Sequence, residues 1–166
     1  MSTAARGPTS VVVCPNCATK NRVPVAAGGT PRCGNCRNAL PWIVDSSDAD
    51  FRSVADESAL PVLVDVWAPW CGPCRMVSPA LEQLATELAG RLKLVKVNAD
   101  EAPGVSRRFE VQAIPTLILI HRGRVIATQV GAAPVHVLRT WVTEHLPAED
   151  SENSRAKNPS LGEEEL

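Results

Sequence analysis

The sequence predicts an α/β domain, with a central mixed sheet flanked by helices, that follows a small N-terminal metal-binding module. Three observations lead to this prediction. Short apolar runs typical of buried strands alternate with segments whose apolar residues repeat at helical spacing. A pair of cysteines with two residues between them stands where one of these strands turns into a helix. Two further pairs with the same spacing lie near the N-terminus.

The elements of the main domain are predicted in the order βαβαβαββα. A first strand covers Trp42 to Val44, and Ser47 begins a helix in which Asp50 has the spacing of a capping box. The later elements are a strand at 62–67, a helix at 71–89, a strand at 92–97, a short helix around 102–109, strands at 116–121 and 124–130, and a final helix that Pro134 opens. The last two strands are joined by a tight turn, so they run antiparallel and the sheet is mixed.

Length and composition are those of a globular protein. The chain has 166 residues, of which 45% are hydrophobic and 21% charged, with a formal net charge of −1. We expect a disordered N-terminus at 1–10, a metal-binding module at 11–45, the main domain at 46–146 and a disordered acidic tail at 147–166. No apolar run approaches the ~20 residues of a membrane span, and residues 1–10 lack the apolar core of a signal peptide. We therefore expect no membrane association, a cytoplasmic location and a monomer.

The segment Cys71-Gly72-Pro73-Cys74 predicts a dithiol switch. Cys71 falls at the start of a helix, where unpaired backbone N–H groups and the helix dipole favour the thiolate, the form that attacks disulfides. Gly72 permits a sharp turn, and Pro73 suits the first turn of a helix because it lacks an N–H. Cys74, one step inside the helix, is expected to be shielded and to resolve a mixed disulfide formed at Cys71.

The N-terminal pairs, Cys14/Cys17 and Cys33/Cys36, are separated by 15 residues and have the spacing of a zinc ribbon. Two other interpretations are open, namely two further redox pairs or a disulfide-linked loop. Zinc is favoured because neither pair precedes a helical repeat and both lie among turn residues, with Gly34 expected to make the bend in the second pair. A module of about 45 residues also needs a metal to fold, and its thiolates need reducing surroundings.

The charge distribution does not favour nucleic acid as a partner. Residues 1–45 carry a basic excess and residues 147–166 an acidic one. Four zinc-bound thiolates would offset part of the basic excess. There is no basic run and no aromatic cluster for base stacking, so we expect no nucleic-acid binding.

The motif Trp70-Cys71-Gly72-Pro73-Cys74 resembles the active-site motif of the thioredoxin family. The resemblance continues through Asp65-Val66-Trp67-Ala68, Arg75-Met76 with Pro79, Lys96-Val97-Asn98, and Ala113-Ile114-Pro115-Thr116 with Gly123 and Gly131. It covers roughly residues 48–146 in the family's order. It implies a thioredoxin fold for the main domain.

The resemblance also implies roles for residues around the dithiol. Asp65 stands in an apolar strand, and if it is buried without a partner, its raised pKa suits proton exchange with Cys74. The pattern alone leaves open that Asp65 is an exposed strand residue with Lys96 on the same solvent face. By resemblance, Lys96 lies on the adjacent strand and tunes Asp65. The implied substrate surface, with a cis proline facing the dithiol, consists of Trp70, Pro73, Ile114, Pro115, Gly131 and Ala132.

The function that the resemblance implies is protein-disulfide reduction. The partners would be disulfide-containing substrate proteins and thioredoxin reductase, which uses NADPH, and no organic cofactor would be bound. The four N-terminal cysteines with Asn21-Arg22-Val23-Pro24 resemble a zinc-containing bacterial branch called thioredoxin 2 or thioredoxin C. Two alternatives remain: a zinc- and redox-controlled chaperone or interaction protein, and an oxidase or isomerase. Gly-Pro between the cysteines favours a reducing protein over the latter.

Overall fold

The computed structural model of the chain describes residues 9–27 and 29–148, which form two sheets and four helical segments. The first sheet is an antiparallel pair of β1 (Thr9–Val13) and β2 (Lys20–Pro24). The second consists of β3 (Trp42–Ser46), β4 (Val62–Trp67), β5 (Lys93–Asn98), β6 (Thr116–His121) and β7 (Arg124–Val130). The helices are a π-helix (Arg52–Asp56), α1 (Gly72–Glu87), α2 (Pro103–Arg108) and α3 (Val135–His145).

The second sheet is mixed, as predicted. Its strand order is β3-β5-β4-β6-β7, with β3 and β4 parallel to β5 and with β6 and β7 antiparallel to their neighbours. The predicted order βαβαβαββα is confirmed. The predicted helix from Ser47 is instead a turn followed by the π-helix. The predicted capping contact forms, because Asp50 Oδ1 accepts hydrogen bonds from Ser47 N at 3.0 Å and Ser46 Oγ at 2.7 Å.

Hydrophobic side chains cover both faces of this sheet. Alternate residues of β4 point to opposite sides, so Val64 packs in the cluster that contains the π-helix residue Val54, and Leu63 packs in the cluster formed with α1 and α3. The central strands are therefore buried on both faces, which explains their continuous apolar sequences. Within the described residues, no helix combines the length and the apolar character needed to span a bilayer.

The N-terminal module packs directly on the main domain. Val23 and Leu40 belong to the same buried cluster as Trp42, and Trp42 Nε1 donates a hydrogen bond to the carbonyl oxygen of Pro24 at 3.0 Å. Two predicted boundaries need correction. Because β3 begins at Trp42, residues 42–45 belong to the main sheet rather than to the module. Because β1 begins at Thr9, the predicted disorder at 1–10 is wrong for its last two residues, while 1–8 and 149–166 lie outside the described residues.

The module lies at the opposite end of the sheet from the dithiol. It contacts Lys93, which starts β5 and pairs with Val62 at the start of β4, whereas Cys71 follows the end of β4. A strand of this length spans about 17 Å. Lys93 is fully buried, and burial lowers the pKa of its ammonium group to about 8 although Asp50 opposes the effect.

Candidate redox site and metal centre

The dithiol lies between β4 and α1. Cys71 has an extended backbone (φ −87°, ψ 108°) and is the N-cap of α1, so its Sγ accepts a hydrogen bond from Cys74 N at 3.2 Å. Cys71 and Cys74 form a disulfide with their Cα atoms 5.3 Å apart. Gly72 is the first helical residue, and Cys71 rather than Gly72 makes the turn into the helix. The helix N-terminus therefore acts directly on the Cys71 sulfur, as the sequence predicted.

Both cysteines are shielded in this disulfide state. Cys71 is 4% exposed and Cys74 is 3% exposed, so the predicted difference in shielding between them is absent here. Trp70 is 70% exposed, and its Nε1 donates to Asp100 Oδ2 at 3.1 Å. Asp100 was not singled out from the sequence. Its position in the sequence could have indicated it. Asp100 follows the end of β5, and the end of the parallel strand β4 leads into the dithiol at the same edge of the sheet.

Of the residues predicted to bind substrate, Ile114 lies beside the Cys71 sulfur, and a backbone hydrogen bond links Pro115 to Gly131. The Ile114–Pro115 peptide bond is cis, and the Ile114 carbonyl oxygen lies 3.8 Å from Cys71 Sγ. Gly131, with φ of +93°, donates from its backbone N–H to the carbonyl oxygen of Pro115 at 2.8 Å. Ala132 follows Gly131 and is exposed. We call the following six residues the docking surface: Trp70, Pro73, Ile114, Pro115, Gly131 and Ala132.

Asp65 lies inside the protein and not on an exposed strand face. It is 1% exposed, and neither carboxylate oxygen has a hydrogen-bond partner among the described residues. Burial raises the pKa of Asp65 from 3.8 to about 6, while the charge of Lys96 acts in the opposite direction. A cavity of about 290 Å³ joins the carboxyl group to the dithiol, and it is lined by Asp65, Trp67, Pro69, Cys74, Arg75, Ser78 and Lys96.

Lys96 is placed as the resemblance implied but has different partners. It is directly opposite Asp65 in the register of β4 and β5. Its Nζ donates to Ser78 Oγ at 2.9 Å and lies 3.6 Å from Glu82 Oε1. Ser78 and Glu82 were not singled out from the sequence. Their spacing from Cys74 was a signal, because residues at i+4 and i+8 on a helix share a face.

The four N-terminal sulfurs converge on one point. All four Sγ atoms lie within 4.8 Å of one another, with Cys14 to Cys36 at 3.6 Å and Cys17 to Cys33 at 3.5 Å. Four Zn–S bonds of about 2.3 Å in a tetrahedron separate the sulfurs by about 3.8 Å. The hydroxyl of Thr19, and then Asn35, lower the pKa of the Cys17 thiol to about 5 by hydrogen bonding. The donor set thus fits a single ion that prefers thiolates.

The two Cys-x-x-Cys loops have the same backbone design. In each, the residue after the second cysteine donates to the carbonyl oxygen of the first: Ala18 to Cys14 at 2.9 Å and Arg37 to Cys33 at 3.0 Å. Both donor residues have a left-handed backbone conformation, with φ of 62° at Ala18 and 69° at Arg37. The bend of the second loop is therefore at Arg37, and the expectation that Gly34 makes it is corrected.

Asn21 links the second loop to β2. Its Oδ1 accepts from Gly34 N at 2.9 Å, and its Nδ2 lies 3.6 Å from Cys33 Sγ. Asn35 N also donates to Cys33 Sγ, at 3.4 Å. Such donors orient a thiolate and reduce its excess negative charge. Asn21 therefore supports the cysteine cluster from outside it.

A disulfide at the N-terminus of a helix, beside a cis proline on a mixed five-stranded sheet, defines a thiol–disulfide oxidoreductase. The sequence model of the thioredoxin family matches residues 42–144, which is more than half of the chain. This protein belongs to the thioredoxin family.

Individual relatives agree with this assignment. Thioredoxin from Haemophilus influenzae is 48% identical over 104 residues, which cover 63% of this chain and 97% of the relative. Thioredoxin 1 from Synechococcus elongatus is 45% identical over 100 residues, which cover 60% of this chain and 94% of the relative. Chloroplastic thioredoxin M4 from Arabidopsis thaliana is 36% identical over 127 residues, covering 75% and 66%.

Proposed function

We propose that this protein is a protein-disulfide reductase whose Cys71–Cys74 pair is recycled by thioredoxin reductase with electrons from NADPH. The observation that carries the proposal is the position of Cys71. Its sulfur caps α1 and is bonded to Cys74, and Cys74 lines the cavity in which Asp65 is buried with no hydrogen-bond partner among the described residues. A nucleophile, a resolving thiol and a proton acceptor are thus combined in one site.

The first step is attack by the Cys71 thiolate on a disulfide of the substrate. A bond forms between Cys71 Sγ and one substrate sulfur, the substrate S–S bond breaks, and the leaving thiolate takes a proton from water. The α1 N-terminus stabilises the attacking thiolate, since the Cys74 N–H already points at Cys71 Sγ. The product is a mixed disulfide.

The second step releases the substrate. The Asp65 carboxylate accepts the proton of the Cys74 thiol, and Cys74 Sγ then attacks Cys71 Sγ. The bond from Cys71 to the substrate breaks, and the second substrate sulfur leaves as a thiolate that is protonated by water. The substrate has gained two electrons, and the pair ends as the disulfide described above.

The docking surface is proposed to hold the substrate chain during both steps. Trp70 is exposed, Pro115 is buried, and the Ile114 carbonyl oxygen lies 3.8 Å from Cys71 Sγ. An extended peptide could pair with the Ile114 backbone in the manner of strand addition. Exposed apolar groups beside a reactive sulfur suit partners that vary in sequence.

The N-terminal module is proposed to hold one structural Zn²⁺ through Cys14, Cys17, Cys33 and Cys36. The sulfur separations and the repeated loop design support this ion, and the proposal places the protein in the thioredoxin 2 branch. A Cys₄ zinc site needs four reduced cysteines, which persist in a reducing compartment. We therefore propose a cytoplasmic location.

A coupled assay tests the function. NADPH consumption is followed with thioredoxin reductase and insulin as the disulfide substrate. We expect the wild-type protein to sustain turnover, Cys71→Ser to abolish it, and Cys14→Ser to retain it because the module is at the far end of the sheet. A wild-type protein that is reduced by thioredoxin reductase but does not reduce insulin would overturn the proposal.

A zinc-controlled chaperone is the second candidate, because the cysteine cluster lies apart from the dithiol and could act independently. Suppression of aggregation is the measurement. Suppression of aggregation that rises when zinc is removed and is unchanged in Cys71→Ser would support this function. Suppression that is lost in Cys71→Ser would exclude it.

A further inference from the structure

We propose that Ser78 and Glu82 are positioning residues for proton transfer between Cys74 and Asp65, and that they act by holding the Lys96 ammonium group away from the Asp65 carboxylate. The proposal deepens the proposed reductase function, since the proton transfer is part of the second step. The structural part of the proposal is that the Lys96 ammonium group lies beside Ser78 and Glu82 and not beside Asp65. That part can be tested without substrate or reductase.

The contacts of Lys96 carry the inference. Its ammonium group donates to Ser78 Oγ at 2.9 Å and pairs with Glu82 Oε1 at 3.6 Å. The Lys96 side chain is 19% exposed and that of Glu82 is 52% exposed, so the ammonium group is anchored toward the outer rim of the cavity. A long lysine side chain is flexible and takes the position that its hydrogen-bond partners define.

The Asp65 carboxylate, in contrast, is left without these contacts. Both of its oxygens lack hydrogen-bond partners within the described part of the chain, although Lys96 is its direct neighbour in strand register. A carboxylate and an ammonium group on adjacent strands would ordinarily pair when buried. Ser78 and Glu82 compete with Asp65 for the same cation.

Lys96 is the charged group that acts on the Asp65 carboxyl group in this cavity. Leu117, the register partner of Asp65 on β6, is apolar. On α1, Arg75 also lines the cavity, but its Nη2 donates to the Pro69 carbonyl oxygen at 2.7 Å. The remaining groups facing Asp65 from α1 are Glu82, through Lys96, and Cys74, which does not titrate in the disulfide.

The consequence concerns the basicity of Asp65. A direct pair with Lys96 would stabilise the carboxylate and make it a poor acceptor for the Cys74 proton. With Lys96 held at Ser78, burial dominates and the pKa of Asp65 stays at about 6. A carboxyl group with a pKa near the working pH exchanges protons most effectively.

Ser78→Ala tests the inference because it removes the hydrogen bond without changing any charge. The readout is the pH midpoint of the ¹³C carboxyl resonance of Asp65 in the oxidised protein. We expect the midpoint to fall by about 0.5–1 pH unit as Lys96 moves toward Asp65. Glu82→Gln should lower it too, and provides a second test if Ser78→Ala does not fold.

A double-mutant cycle separates positioning from a local change in the cavity. In a Lys96→Met background, Ser78→Ala should leave the Asp65 midpoint unchanged. The inference is overturned if the midpoint does not fall in Ser78→Ala, or if it falls equally in the Lys96→Met background. A shift that passes both tests in a protein without reductase activity would reject the proposed function and leave the positioning role intact.

Discussion

Lys93 Nζ donates a hydrogen bond to the carbonyl oxygen of Val25 at 2.5 Å, and this contact joins the main sheet to the N-terminal module. The same ammonium group donates to the Val54 carbonyl oxygen of the π-helix at 2.6 Å and lies 3.9 Å from the centre of a Trp42 ring. Burying a lysine is unfavourable unless its hydrogen bonds are satisfied. Here the satisfied bonds come from both parts of the protein, so Lys93 couples their folding.

Lys93→Met should weaken this coupling. The carbonyl oxygens of Val25 and Val54 lose a donor, and leaving them buried should lower the free energy of unfolding by about 2–4 kcal/mol. Urea denaturation measures this change, and limited proteolysis should show faster cleavage within 9–41. Lys20→Met, at an exposed position of β2, is the matched control. Equal stability of the two variants would contradict the coupling role.

Asp65→Asn should stabilise the protein above pH 6. The pKa of Asp65 is raised on folding from 3.8 to about 6, so the unfolded chain holds fewer protons between these values and stability falls as pH rises through that window. Above it, the cost of the buried charge is about 3 kcal/mol. We expect a gain approaching this size at pH 8, measured by urea denaturation.

The control for the Asp65 prediction is the same variant at low pH. Below about pH 3 the carboxyl group is protonated in both states, and the advantage of the amide should disappear. A variant that is less stable than the wild type at pH 8 would show that the Asp65 carboxylate has stabilising partners in solution.

Metal removal should unfold the module and spare the dithiol. A two-stranded sheet such as β1–β2 is marginal alone, and four thiolates within 4.8 Å of one another repel unless a cation neutralises them. Chelation under reducing conditions should release one zinc ion per chain and increase hydrogen exchange in 9–27 and 29–41. Loss of the Lys93–Val25 bond should lower the stability of the main domain, but while that domain stays folded disulfide turnover should change by less than about twofold, since the two sites lie at opposite ends of the sheet. Loss of turnover together with zinc would contradict this separation.

Local features of the sequence predicted most of the fold. The strands at 62–67, 116–121 and 124–130 were found at their observed limits because each apolar run is bounded by turn residues. The Cys₄ cluster was found because ligand spacing is itself a local property. The π-helix was missed, since its apolar spacing also suits an α-helix.

Contacts that depend on tertiary packing were not predicted. Lys93 reads as an ordinary strand residue, and its role appears only when the module is packed against β5. Ser78 and Lys96 are far apart in sequence, so nothing local indicates that Ser78 accepts the lysine bond. The tight bend of the second cysteine loop was expected at Gly34, yet the left-handed residue of that loop is Arg37, whose backbone N–H donates to the Cys33 carbonyl oxygen.

The central claim is that Cys71 is the ionised nucleophile, and its alkylation rate as a function of pH tests this most directly. The reduced protein is treated with iodoacetamide, and the labelled residue is identified by mass spectrometry. Because Cys71 caps α1, we expect selective labelling of Cys71 with a midpoint of about 6–7.5, below the ~8.5 of a free cysteine. A midpoint at or above the value of free cysteine, or preferential labelling of Cys74, would contradict the account.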